Sequence, residues 1–123
     1  MQNYILEVKK LIPKIQCKKI IDYFDDNFFD AGVGTGRIDK EIRNCVTRSI
    51  LDTKTFGEKI VSNYVKSKLH DCAKFYQKKH NHFDFSKISQ LDLLKYDNNN
   101  YKSGYAYHVD VGNKCTERHI SIS

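Results

Sequence analysis

The spacing of apolar residues changes near residue 88 of the 123-residue chain, and no other feature restricts its fold as strongly. Before that point apolar side chains recur at intervals of three and four, the spacing of one helix face. Cys17, Ile20, Ile21, Phe24 and Phe28 make a first stripe, with Pro13 near its start, where a missing N–H is tolerated. Val61, Val65, Leu69, Cys72 and Tyr76 make a second, and Lys59, Lys66, Lys68, Lys74 and Lys78 fall mostly off it. Thr55 and Glu58 precede that stripe with the residue types and spacing of a capping box, and the helix is expected to fade near Lys79. After residue 88 the pattern turns strand-like. Ile88 to Tyr96 is apolar-rich, Asp97 to Asn100 reads DNNN as a turn, Tyr105 to Val111 reads as a second strand and Arg118 to Ser123 as a third. A short strand is also expected around Tyr4 to Val8, while Arg37 to Ile50 stands between strand and loop. Helices followed by strands predict an α+β fold, with the helices packed on one sheet face. Length, and the absence of an internal repeat or dividing linker, predict one domain, mainly helical support over 1–87 and the first core strands over 88–123.

Charge and cysteine usage exclude several classes. The net charge of +6 favours anionic partners in general, but the lysines are scattered over helical stretches and no nucleic-acid recognition motif accompanies them. Cys17, Cys45, Cys72 and Cys115 form no close pair, so a zinc ribbon or knuckle is not expected. Free, mostly packed thiols, with no signal peptide and no apolar run long enough to span a bilayer, predict a cytoplasmic protein without membrane partners. The stretch AGVGTG, Ala31 to Gly36, reads as a flexible loop. It is not a dinucleotide fingerprint, because Arg37 stands where the third glycine belongs and a helix precedes it. His80 and His82 lie in a polar connection with no third ligand close by, which reads as a solvated loop.

The chemistry concentrates in YKSGYAYHVDVG, Tyr101 to Gly112. In a strand, side chains two apart share a face, so His108 and Asp110 project together beside Ala106, and Tyr107, Val109 and Val111 point the other way. An imidazole and a carboxylate on one face suit a first-row metal. Two histidines and one carboxylate on one side of iron(II) leave three positions open for a bidentate co-substrate and oxygen. Taken alone, the HxD spacing also fits a surface strand with a polar outer face.

The surrounding order narrows the choice. LLKYDNNNYKSGYAYHVDVG, a spacer, then RHISIS resembles the prolyl-4-hydroxylase-like branch of the iron(II)- and 2-oxoglutarate-dependent oxygenases. Leu93, Leu94, Lys95 and Tyr96 match its strand ending in tyrosine. Tyr105, His108 and Asp110 match its tyrosine and HxD. Arg118, Ile120 and Ser121 match the strand that follows. The N-terminal half, including the glycine-rich stretch before Asp39 to Asn44, is similar to the family's helical support.

The resemblance implies that His108 and Asp110 are iron ligands, that Tyr96 hydrogen-bonds the 2-oxoglutarate carboxylate, and that Tyr105 lines the site. It implies Fe2+, 2-oxoglutarate and L-ascorbate as cofactors, molecular oxygen as co-substrate, and a peptide or small-molecule acceptor. Its fold would be helices packed on the first strands of an incomplete double-stranded β-helix, or jelly roll. The family's second histidine and its carboxylate-pairing basic residue lie several strands beyond HxD, whereas 13 residues follow Asp110 here. His119 is not at the family's ligand position. The expectation is therefore a partial oxygenase domain, inactive as the 123 residues stand. The competing readings are a non-catalytic fragment and a basic nucleic-acid-binding module.

Overall fold

The structure is a computed structural model that describes residues 5–33, 36–80, 88–97 and 102–106. The described residues are α+β, with two helices and five short strands in antiparallel pairings. Two compact units divide the chain, one from residues 1–25 and 53–88, the other from 26–52 and 89–123.

The first unit is helical. Helix α1 spans Lys14–Tyr23 and starts at Pro13, whose carbonyl accepts from the amides of Gln16 (2.9 Å) and Cys17 (3.0 Å). Its stripe is shorter than the sequence predicts. Ile20 and Phe24 are buried, but Ile21 is exposed and Phe28 lies beyond the helix. A ten-residue helix has under three turns, so the stripe cannot continue. Asn27, in the left-handed conformation at φ 57°, then redirects the chain.

Helix α2, Phe56–Lys79, begins with the predicted capping box. The Thr55 hydroxyl accepts from the Glu58 amide (3.1 Å), and the Glu58 carboxylate accepts from the amides of Thr55 (3.2 Å) and Lys54 (2.8 Å). Val65 is buried with Ser62 and Ala73, and Val61, Leu69, Cys72 and Tyr76 are half-buried, so the predicted stripe is the inner face. No helix among the described residues is long and apolar enough to cross a membrane.

His80 departs from its expected solvated loop. It is buried as the C-cap of α2, its amide donates to the Tyr76 carbonyl (2.9 Å), and its ring lies 4.7 Å from that of Tyr76. His82 falls outside the described residues.

The second unit holds two small sheets. Strands β1 (Phe29–Asp30), β3 (Val46–Ser49) and β4 (Asp92–Lys95) form one sheet in the order β1-β3-β4, and β2 (Arg43–Asn44) pairs with β5 (Gly104–Tyr105). Three of the five strands thus come from residues 26–52, within the stretch that the sequence assigns to helical support. Ile5 to Val8, the described part of the strand expected over Tyr4 to Val8, form no strand. The glycine-rich turn is closed by Val33 N–H to the Arg37 carbonyl (2.9 Å) and Gly36 N–H to the Val33 carbonyl (2.7 Å), with Gly36 at φ 84°. That left-handed value favours glycine.

Candidate functional site

The segment Arg43 to Ser49 serves two partners in succession, and the change of partner falls at Cys45. Its second half pairs with β4 in the register Val46↔Lys95 to Ser49↔Asp92. Its first half pairs with β5, Arg43↔Tyr105 and Asn44↔Gly104, and the pairing runs on through the Ala106 amide to the Ile42 carbonyl (2.8 Å). Ser103 ties the two halves: its hydroxyl donates to the Asn44 carbonyl (3.0 Å) and accepts from the Asp97 amide (3.0 Å). In the described residues the strand carrying Tyr105 pairs with β2, where the break at Cys45 leaves the first half of the segment to a second neighbour.

Period-two alternation puts Arg43, Cys45 and Thr47 toward one face, and directly opposed residues in an antiparallel pair share a face. Tyr105 stands opposite Arg43, and continuing the β3–β4 register brings Tyr96 opposite Cys45. The side chains meet accordingly. The Arg43 guanidinium lies 4.7 Å from the centroid of the Tyr105 ring, and its Nη1 donates to the Gly32 carbonyl (2.9 Å). Tyr96, 42% exposed, lies beside the buried Cys45 thiol. Burial, then the neighbouring Cys45, and more weakly Tyr105, push the Tyr96 phenol above the ordinary tyrosine range, against the pull of the Arg43 guanidinium. At neutral pH this phenol is therefore a hydrogen-bond donor.

Arg43 keeps one donor in reserve. Its Nε is buried and has no hydrogen-bond partner among the described residues, nor does any carboxylate there lie within ion-pair distance. The other arginines of this unit's first half are engaged, Arg37 with Asp39 (3.2 Å) and Arg48 with Asp26 (2.6 Å). A guanidinium donor beside a neutral phenol suits a carboxylate or a carbonyl oxygen.

The two tyrosines singled out from the sequence thus come together across separate strand pairings. His108 and Asp110, the expected iron ligands, lie outside the described residues, as do His119 and Arg118. Among the described residues no three His, Cys, Asp or Glu side chains gather where a metal could sit. Arg43 and Cys45 were not anticipated. The alternating run Arg43, Cys45, Thr47 is the signal that marks them, but it is too short to separate strand from loop until its partners are known. Comparison with protein-family models, curated proteins and solved structures gives no match.

Proposed function

We propose that the chain is the front part of an iron(II)- and 2-oxoglutarate-dependent oxygenase of the prolyl-4-hydroxylase-like kind, its sheet unit being the start of a jelly-roll core. One observation carries the reading. Tyr96 and Tyr105, assigned to the co-substrate and the site wall by sequence resemblance alone, converge on the Arg43 guanidinium and the Cys45 thiol. Chance placement of two tyrosines nine positions apart, one just past β4 and one on β5, whose strands have different partners, gives no reason for that convergence.

The donor set fits a 2-oxo acid. The Tyr96 phenol keeps its proton and donates to a carboxylate oxygen, while Arg43 sets a positive charge and an unused N–H against the same wall. The buried Cys45 thiol lies beside that phenol. His108 and Asp110 would hold the iron. When bound, iron and 2-oxoglutarate supply with oxygen the oxidant for C–H hydroxylation, releasing succinate and CO2, with L-ascorbate as reductant for the iron. The chain itself contributes ligation, orientation of the co-substrate and exclusion of water. The acceptor is a peptide or a small molecule, a prolyl residue being the best-known acceptor in the family resembled.

The test is succinate formation from 2-oxoglutarate, with iron(II), ascorbate and oxygen, by the natural polypeptide that contains these residues. His108→Ala and Asp110→Ala should each abolish it, and Tyr96→Phe should raise the KM for 2-oxoglutarate. Turnover by either ligand variant at the parent rate would overturn the assignment.

A further inference from the structure

The positive charge of the chain is concentrated in one unit. Residues 1–25 and 53–88 carry 13 lysines, no arginine and 6 acidic residues, whereas the other unit has 8 basic and 9 acidic residues. The helical unit therefore accounts for all of the net +6, and the sheet unit is close to neutral. Among its described lysines, Lys18 alone has a carboxylate in ion-pair distance, that of Asp22 at 2.6 Å. The same unit holds a groove of about 660 Å³ between α1 and α2, lined by Lys19, Ile20 and Tyr23 on one side and Ile60, Val61 and Tyr64 on the other.

Phe56, Ile60, Tyr64 and Lys68 follow one another at intervals of four along α2, a single row on its surface. Phe56 is 80% and Ile60 54% exposed, so the row offers apolar area to a partner, and the Lys68 ammonium 5.6 Å from the Tyr64 ring ends it with a cation. On α1, Lys19 stands among Ile20 and Tyr23. The acidic group at the groove, Asp22, is already held by Lys18.

We propose that this groove docks an acidic polypeptide segment that carries apolar anchor residues. The aliphatic lining takes the anchors, and Lys19 and Lys68, with no carboxylate in ion-pair distance among the described residues, take the segment's carboxylates. A nucleic acid fits less well. Phosphates are best gripped by the planar arginine fork, which this unit lacks, and Ile20, Ile60 and Val61 offer a phosphodiester backbone nothing. The inference is independent of the oxygenase reading.

Fluorescence anisotropy of the 123-residue chain against three labelled probes tests it. The first is a synthetic peptide of about 15 residues with Leu and Phe at intervals of three and four and Glu elsewhere, long enough to form a helix. The second replaces Leu and Phe by Ser at the same charge, and the third is a single-stranded oligothymidylate of equal length. The first should bind at least about tenfold more tightly than the other two, and Ile60→Asp and Lys19→Glu should each weaken it about tenfold, a loss of about 1.4 kcal/mol. Circular dichroism shows whether each variant keeps its helices; Lys19→Glu, at an exposed position, decides the matter if Ile60→Asp does not fold. Equal binding of the serine peptide would reduce the surface to unspecific charge. Oligothymidylate binding as tight as the peptide's would make it a nucleic-acid site. Either result, no saturable binding, or binding indifferent to a folded variant overturns the proposal.

Discussion

A phenol beside a thiol and a guanidinium feels opposing influences, and at Tyr96 the balance falls on the side of the proton. Its pKa is raised in the folded state, so linkage has a definite sign. The folded chain holds the Tyr96 proton more tightly than the unfolded chain does. The associated stability is fully present below the unfolded value of about 10 and is lost as pH rises through the folded value. Phenolate absorbance should therefore show one tyrosine titrating above the others, a step that Tyr96→Phe removes; an unchanged curve for the variant would place that proton elsewhere. Arg43 makes a second residue-scale case. Its guanidinium stacks on Tyr105 and donates to the Gly32 carbonyl at once, which needs a planar group with several N–H directions. Lysine keeps the charge and loses that geometry. Arg43→Lys should cost about 1 kcal/mol, much as Arg43→Gln does, when urea midpoints are compared. Full stability of the lysine variant would mean that charge alone matters there.

Helix α2 was legible in the sequence because everything that starts it is local. Thr55 and Glu58 close the capping box within four residues, and the apolar stripe from Val61 to Tyr76 needs no distant partner to be read. Thr55→Ala should cost about 1 kcal/mol in denaturant melts and Thr55→Ser much less, since serine keeps the accepting oxygen. Leu69 sits half-buried on the stripe, so Leu69→Ala belongs near the lower end of the usual range, about 2 kcal/mol. A loss under about 0.5 kcal/mol would mean that its face is not packed. The strands were less legible. Two to four residues give alternation too little length to act on, and what makes Arg43 to Ser49 a strand is its pairing with residues 92–95 and 104–105, far along the chain. The same reason hid Arg43 and Cys45. Tyr96 and Tyr105 were found by resemblance, but their meeting is a product of pairings that no local pattern encodes. His80 was misread because its sequence neighbours are polar, whereas its ring is held by Tyr76, one helical turn back.

At the scale of the whole molecule, the proposed chemistry and the proposed docking surface belong to different units, a near-neutral sheet and a lysine-rich helical pair. Effects on the two should separate, with groove substitutions leaving 2-oxoglutarate binding unchanged and Tyr96 or Arg43 substitutions leaving peptide docking unchanged. The iron site sets the last expectation. Among these 123 residues the proposal assigns two ligands, His108 and Asp110, and a metal held by two protein groups keeps most of its positions for water and buffer. A third ligand would close the facial arrangement and hold the metal against that competition. The 123-residue chain should accordingly bind iron(II) weakly and form no succinate from 2-oxoglutarate, while a longer polypeptide that adds a histidine ligand and a carboxylate-pairing cation should form it. His108→Ala or Asp110→Ala in that longer chain should then abolish turnover. Comparable rates from the two lengths would show that His119 or another residue already supplies the third ligand, and the assignment of only two would be wrong.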